Sequence, residues 1–243
     1  MENELDIYDG IAGQGFENMG ADKFSVPMLK IAQPTSSVLT EDGSEVKAGD
    51  FYNSITGKSY GPKVELIPVY FNTTWLEWKP NMGGLVARHK PYSIRVTGDR
   101  FTGLKSLTGN DIQEAWCYLV LIRGHEDEGI MLLSCTSTNI RHCKTWNSFL
   151  SENRLKSGKP APLFSCYWTI ESKKNKNDKG TFFVMGEGKN TAITKSDWVP
   201  ADIYTNFVKP VLETAPQMFD QLNMSEDNSQ PLVIEDKSAD GKF

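Results

Sequence analysis

The sequence lacks the features that place a protein in a membrane or in the secretory pathway. No stretch approaches the roughly 18 consecutive apolar residues of a membrane span, and the acidic start, Met1 to Glu4, does not resemble a signal peptide. We therefore expect a cytoplasmic protein with no membrane partner. The 243 residues supply enough apolar material for one large domain or two small ones.

Motifs of several common enzyme classes are also missing. The chain contains no phosphate loop of the form G-x-x-x-x-G-K-[ST], no H-E-x-x-H and no dinucleotide-binding fingerprint. Its three histidines, His89, His125 and His142, have no neighbouring nucleophile or spaced carboxylate that suggests a catalytic triad. We therefore expect a protein that is not an enzyme and needs no cofactor. A metal-dependent nuclease, with carboxylates gathered from separate strands, stays open as a weaker alternative.

Paired cysteines are absent as well. The four cysteines occur singly, with no Cys-x-x-Cys motif, and in a cytoplasm they stay reduced. One set of side chains could be imagined as zinc ligands, although its spacing matches no usual zinc pattern. That set is Cys135, His142, Cys143 and Cys166. We favour buried free thiols, because Cys117 and Cys135 lie inside apolar runs.

Acidic residues are scarce in one part of the chain. Residues 141–195 carry eleven lysines and arginines against four acids, a net charge of +7 in a chain whose total is -5. The segments 1–60 and 196–243 each have a net charge of -6, and residues 61–140 are neutral. An acidic total argues against a nucleic-acid partner, but this segregation of charge removes that argument.

Aromatic residues are interleaved with the cations of residues 141–195. Seven of them lie between Trp146 and Phe183. Lysine and arginine neutralise phosphates with release of counterions, and flat rings stack on unpaired bases. The combination predicts binding of a single-stranded nucleic acid. The alternative is a solvated surface over aromatic residues that belong to the core.

We expect the bound strand to follow these cations, with help from others between residues 88 and 105. Three tryptophans that lie near cations are our candidates for exposed stacking rings: Trp75, Trp78 and Trp146. The predicted nucleic-acid-binding residues are Trp75, Trp78, Arg88, Lys90, Arg95, Arg100, Lys105, Arg141, Lys144, Trp146, Lys173, Lys174, Lys176 and Lys179.

Strand patterns and turn residues dominate the middle of the chain. Two apolar runs, 116–123 and 129–136, flank a short polar joint and predict a long central hairpin, followed by a helix that begins at Thr138 or Asn139. The fold class is therefore mostly β (α+β). We expect an OB-like antiparallel β-barrel with a few peripheral helices and disordered acidic termini.

Two later elements are predicted less directly from the pattern. Strands at 163–172 and 181–186 form a second hairpin, whose cationic joint at 173–180 is too polar to pack. A final helix follows Ser196 and Asp197, and Pro210 should kink or break it because proline has no backbone N–H to donate.

The two ends of the chain differ from the middle. We divide the chain into an acidic flexible arm at 1–23, a single β-rich domain at 24–223 and a disordered acidic tail at 224–243. The tail could occupy a basic groove and, when displaced by DNA, bind partner proteins; the alternative is a solubilising tail. Its predicted partner-binding residues are Glu226, Asp227, Glu235, Asp236, Asp240 and Phe243.

The basic and aromatic β-rich core, the acidic tail and the terminal Phe243 together resemble the phage single-stranded DNA-binding proteins of the T7-like type. The resemblance implies an OB-fold core, sequence-independent binding of single-stranded DNA in replication and recombination, and a tail that recruits a DNA polymerase or helicase. The tail departs from this pattern in carrying Lys237 and Lys242 among its acids.

Residues 24–89 separately resemble a group of phage-encoded proteins from replication modules, which implies single-strand binding. The resembling parts are 26–34, 48–51, 75–78 and 83–89.

A second function class is compatible with the same residues. A protein-interaction or structural phage accessory factor would use the aromatic-rich sheet as a protein interface and would need no nucleic acid. The sequence also leaves open a homo-oligomer and the choice between DNA and RNA.

Overall fold

The computed structural model describes residues 26–99, 103–178, 180–186 and 193–224. The predicted arm at 1–23 and the tail beyond Met224 lie outside these residues, so both stay predictions. The strands of the described chain are β1 (Leu29–Ile31), β2 (Phe51–Asn53), β3 (Ser59–Gly61), β4 (Lys63–Trp78), β5 (Leu85–His89), β6 (Val96–Asp99), β7 (Gly103–Ser106), β8 (Asp111–Ile122), β9 (Met131–Thr136), β10 (Cys166–Asn177), β11 (Gly180–Met185) and β12 (Ile193–Trp198). The helices are α1 (Thr138–Glu152), α2 (Ala201–Ile203) and α3 (Lys209–Met224), and a π-helical turn (Tyr204–Val208) joins α2 to α3.

Two long antiparallel strands, β4 and β8, organise the main sheet. They pair from Leu66 opposite Ile122 to Trp78 opposite Asp111. At one end of this pair, β10 flanks β4 and β9 flanks β8; at the other end, β5 flanks β4 and β7 flanks β8. β12 adds to β10, and β6 adds to β7. We call the second end, built from β5, β6, β7 and the adjoining ends of β4 and β8, the distal end.

The main sheet is apolar on both faces. Side chains alternate along β8, so that Tyr118 and Val120 point to one face and Leu119 and Leu121 to the other. Helix α1 covers the first face, and the π turn with α3 covers the second. We call them the α1 face and the α3 face.

The largest core cluster lies on the α1 face. Helix α1 places Cys143, Trp146 and Leu150 against the sheet, at the spacing of one helix face. The Trp146 ring lies 4.6 Å from the Tyr118 ring, centroid to centroid. The small sheet β1–β2–β3 adds Phe51 and other apolar side chains to the same cluster.

The prediction of a mostly β protein is confirmed, but the OB-like barrel is not what forms. In the described residues the sheet runs in the order β11-β10-β4-β8-β7-β6 and stays open. Strands that are apolar on both faces need a cover on each side, and here two helical layers supply it without closure of the sheet.

The central hairpin β8–β9 and helix α1 agree with the sequence pattern. The joint at 173–180 does not agree with its prediction as an unpaired segment, because β10 continues to Asn177 and β11 begins at Gly180. Backbone pairing is independent of side-chain polarity, so Lys174 and Lys176 can point to solvent from a paired strand. The final helix also differs from its prediction. It begins at Ala201 and continues through Pro210 without a break, with a π turn just before that residue; the predicted kink stays a prediction.

Candidate nucleic-acid interface

The three predicted stacking rings are not exposed platforms. Trp146 is 0% exposed and Trp75 is 7% exposed. Trp78 is half-buried against the apolar cluster of the α3 face. The expectation that these rings are exposed is therefore corrected. Trp146 lies on the side of α1 that meets the sheet, Trp78 packs on the α3 face, and the Tyr92 ring lies 5.0 Å from the Trp75 ring.

Several of the predicted cations are held by carboxylates. Lys90 Nζ lies 2.8 Å from Asp220 on α3, and Lys173 Nζ lies 2.6 Å from Glu171. Lys105 forms an ion pair with Asp111. Such exposed pairs add little stability, but the paired acid offsets positive charge that a phosphate would otherwise meet.

The remaining predicted cations fall into separate groups rather than one groove. Arg141 and Lys144 share the exposed side of α1, and Lys144 Nζ lies 5.9 Å from the centroid of the Trp116 ring. Arg95 is exposed just before β6 at the distal end, and Arg88 is half-buried on β5 opposite Leu76. Lys174 and Lys176 lie on the β10–β11 hairpin. The predicted residues outside the described chain are Arg100, Lys179, Glu226, Asp227, Glu235, Asp236, Asp240 and Phe243.

An exposed tryptophan does meet cations elsewhere, on strand β12. Trp198 is 47% exposed, and Lys195 Nζ lies 4.3 Å from the centroid of its ring. The same Nζ donates to Asn153 Oδ1 at 2.8 Å. A cation above an exposed indole is favourable in itself and fixes the position of both groups.

The loop after α1 brings three more cations to this place. Its backbone is closed by hydrogen bonds from Leu155 N to Lys159 O and from Ala161 N to Asn153 O, each 2.9 Å. Arg154, Lys156 and Lys159 are all exposed on it. Because Asn153 ends α1 and also binds Lys195, the loop is tied to β12. We call the surface formed by Asn153, residues 154–160, Lys195 and Trp198 the Trp198 surface.

Charge at the Trp198 surface is mainly positive. Four cations lie there, with the exposed Glu152 beside them. The other nearby acid is Asp197, on β12. Its side chain points to the opposite face, where its Oδ2 lies 2.9 Å from Arg123 Nη2. Arg123 in turn lies over the Tyr167 ring on the α3 face, so that pair does not dilute the positive charge of the α1 face.

Sequence reasoning missed Trp198 because residues 196 and 197 were interpreted as a helix cap. A signal was present. The segment 193–198 has Ile193 and Trp198 as its only apolar residues. A strand with so little apolar surface suits an edge, and in the described residues β12 pairs with β10 alone.

A cavity of about 590 Å³ lies at the distal end, next to the start of α1. Tyr92 stands at its rim, 81% exposed, with its ring 5.0 Å from the Trp75 ring. The residues that line it are Trp75, Tyr92, Val96, Gly103, Leu104, Ile112, Gln113, Glu114, Ser137 and Ile140. Its volume lies within the roughly 300–1,000 Å³ of small-molecule sites.

A buried carboxylate lies between the strands of the distal end. Glu77 accepts from Asn110 Nδ2 at 2.8 Å, and its other oxygen lies 2.8 Å from His89 Nε2. Burial raises the pKa of Glu77, but the hydrogen bonds from Asn110, His89 and Ser106 outweigh it, so the pKa lies below the ordinary glutamate value. The network ties β5 to the turn before β8.

This depressed pKa predicts a specific loss of stability in acid. A carboxyl group whose pKa is lower in the folded state stabilises the fold above its unfolded pKa of about 4.3 and loses that contribution as pH falls through the folded pKa. The variant Glu77→Gln should therefore show a smaller fall in unfolding free energy between pH 7 and pH 3 than the parent protein. Urea unfolding at the two pH values measures it. Equal falls in both proteins would contradict the assignment.

Two patterns that could indicate catalysis do not assemble a site. Residues 57–61 match the letters G-x-S-x-G. Ser59, however, begins a strand and donates to Asp50 Oδ2 at 3.0 Å, whereas a nucleophile elbow joins a strand to a helix. The four cysteines are buried free thiols, as predicted. Within the described ranges no three His, Cys, Asp or Glu side chains are grouped to hold a metal ion.

No helix in the described part of the chain is long and apolar enough to cross a membrane.

Comparison with known proteins gives one family. Residues 4–211 match the model of the Pam3 phage gp34-like proteins. Neither the curated proteins nor the solved structures contain a match. The matched region covers well over half of the chain and includes α1, β12 and the loop between residues 153 and 161. The chain therefore belongs to the Pam3 phage gp34-like family and is a phage protein.

Proposed function

We propose that this phage protein binds single-stranded DNA without base-sequence preference, and that the Trp198 surface is its main contact. The observation that carries the proposal is the exposed Trp198 ring beside Lys195, next to a loop with three further exposed cations. Cations neutralise phosphates, and an exposed ring stacks on any unpaired base. No reactive side chain is needed for this activity.

The α1 face offers a path for the strand beyond Trp198. Helix α1 ends at the Trp198 surface and begins beside the distal cavity. Its 15 residues span about 22 Å at the usual rise. Arg141 and Lys144 are exposed along the helix, and Tyr92 lies near its start, at the rim of the distal cavity. Cations between two exposed rings suit an extended polyanion with unpaired bases.

The biological setting of the proposal follows from the family and the resemblance. A phage single-strand binder acts in DNA replication or recombination, in the cytoplasm of the bacterial host. We propose that the acidic tail regulates DNA binding and recruits a DNA polymerase or helicase. The protein would use no cofactor and do no catalysis, and a homo-oligomer is compatible with this role.

Removing the Trp198 ring tests the proposal. We expect Trp198→Ala to weaken binding by about 1–3 kcal/mol, because one stacked base is lost. The measurement is fluorescence anisotropy with a labelled oligothymidine longer than the roughly 4–16 nucleotides of a single-strand site. Trp198→Phe keeps a ring and should recover most of the affinity. A parent protein that does not bind the oligomer even at low salt would end the proposal.

A second candidate function is a protein-interaction or structural role in the phage. The observation in its favour is a pair of large exposed apolar side chains outside the Trp198 surface, Leu107 at 70% and Ile55 at 57%. These residues suit a protein partner better than a phosphate backbone. The absorbance ratio at 260 and 280 nm of the purified protein, together with the oligothymidine titration, separates the two. Protein free of nucleic acid that ignores the oligomer favours the interaction role.

A further inference from the structure

The distal cavity has features of a built site that the Trp198 surface does not use. In the described chain three residues other than glycine have a positive φ, and two of them line this cavity: Tyr92 at 64° and Ser137 at 46°. Such conformations cost free energy, and they persist at sites where a side chain must be held in one place. For Tyr92 the result is an 81% exposed ring at the rim of the cavity, in edge contact with the Trp75 ring.

The polar groups of the cavity include a carboxylate that can accept hydrogen bonds from a ligand. Trp116 Nε1–H donates to Glu114 Oε1 at 3.1 Å, which orients the carboxylate but leaves lone pairs on both of its oxygens. Gln113 Nε2–H donates to Ser137 Oγ at 2.7 Å, which leaves the Ser137 O–H as a donor and the amide oxygen of Gln113 as an acceptor. The rest of the lining is mainly apolar, with Trp75, Leu104 and Ile112.

The surroundings of the cavity are positively charged. Lys144 lies over the same Trp116 ring that orients Glu114, and Arg141 is exposed one position after the lining residue Ile140. Arg95 is exposed directly before Val96 on the opposite side. A carboxylate in a cavity with cations outside it suits a ligand that combines a phosphate with a hydrogen-bond-donating ring.

We propose that the distal cavity holds one unpaired guanine base of the bound strand, stacked on Tyr92 and read by Glu114. Guanine presents two adjacent N–H donors on its Watson–Crick edge, and these match the two oxygens of a carboxylate. Thymine places a carbonyl oxygen on each side of its single N–H, and these oxygens face the carboxylate with like partial charge. This inference rests on the proposed function. It adds a guanine preference at a single position to binding that is otherwise independent of sequence.

Mononucleotides test the cavity separately from the long DNA surface. We expect dGMP to bind about tenfold more tightly than dTMP, since a good bidentate contact discriminates bases to that extent. Isothermal titration calorimetry with both nucleotides measures this ratio, and the shared phosphate leaves the base as the only difference. Glu114→Gln still accepts from Trp116 but loses the charge and one acceptor, and should bring the ratio close to one. Tyr92→Gly removes the ring at a backbone position that glycine tolerates, and should weaken both nucleotides.

The control variant is Trp198→Ala, which should leave the dGMP preference unchanged while it weakens oligothymidine binding. Equal affinities for dGMP and dTMP, in a protein that still binds oligothymidine, would overturn the guanine site and leave the proposed function standing. A dGMP preference that Glu114→Gln leaves intact would also overturn it. If oligothymidine does not bind but the preference is present and depends on Glu114, the proposed single-strand binding is wrong, and the cavity holds a free guanine nucleotide rather than a base of a bound strand.

Discussion

Replacing Trp146 with alanine is expected to lower the free energy of unfolding by about 3–5 kcal/mol, the usual loss for a large ring removed from a core. Trp146 is 0% exposed and lies between the Tyr118 and Trp168 rings, 4.6 Å and 6.5 Å away. Removal of the ring leaves a cavity between α1 and the sheet, which neighbouring side chains fill only in part. Urea or thermal unfolding measures the change.

Two comparisons separate a core role from a DNA-binding role for this tryptophan. Trp146→Phe keeps most of the apolar volume and removes an indole N–H that has no hydrogen-bond partner among the described residues, so it should cost much less. Trp198→Ala should cost only about 1 kcal/mol, because half of the ring is exposed and the lost cation–π contact with Lys195 is worth about 0.5–1 kcal/mol at an exposed site. A Trp146→Ala protein with parental stability and reduced DNA affinity would show that the ring is a binding platform after all.

Neutralising the loop of the Trp198 surface should have the largest effect on DNA binding. The triple variant Arg154→Gln, Lys156→Gln and Lys159→Gln removes three exposed cations. Each phosphate contact on a single strand contributes about −0.7 to the slope of log K against log salt, so the loss of three contacts should make the negative slope shallower by about 2. At about 50 mM salt the loss of affinity should reach roughly a hundredfold. Anisotropy titrations with oligothymidine at several salt concentrations measure both quantities.

A control for this variant removes the same charge elsewhere. The variant Lys30→Gln, Lys47→Gln and Lys209→Gln changes three exposed lysines outside the Trp198 surface. It alters the net charge of the protein equally, but it should change the slope of log K against log salt much less. Equal losses in the two variants would mean that total charge, rather than the loop, determines the affinity.

Periodicity alone predicts the centre of this fold. The two apolar runs of β8 and β9 and the helical spacing of Cys143, Trp146 and Leu150 determine a hairpin with a helix packed on it. The same spacing also implies that Trp146 is buried, since the residues that repeat with it form the helix face that meets the sheet. The prediction of an exposed ring at this position gave more weight to neighbouring lysines than to the period.

Long-range pairing is the part that the sequence does not reveal. Lys90 lies in a segment with few acids, yet its partner Asp220 comes from the far end of the chain on α3. A count of charges along the sequence therefore overstates the positive charge that a partner molecule meets. The Trp198 surface shows the converse. Lys195 and residues 154–159 are distant in sequence, and it is the hydrogen bond between Lys195 and Asn153 that brings them together.

The open sheet has a similar cause. Strands that are apolar on both faces fit a barrel or a covered sheet equally well, and in the described residues the packing of α3 on one face favours the covered sheet. Ala215 and Phe219 on α3 bury the α3 face of β4 and β8, so closure is not needed to remove that face from water. The sequence predicted a helix there but not the face that it would cover.

Photocrosslinking tests the central claim most directly. Oligothymidine in which some bases are replaced by 5-iodouracil is bound to the full-length protein, irradiated and digested, and the linked peptides are identified by mass spectrometry. Stacked iodouracil reacts with the aromatic ring it touches, so the account predicts a major crosslink at Trp198 that is absent in Trp198→Ala. Crosslinks confined to the β10–β11 hairpin, with none in residues 193–204, would contradict it.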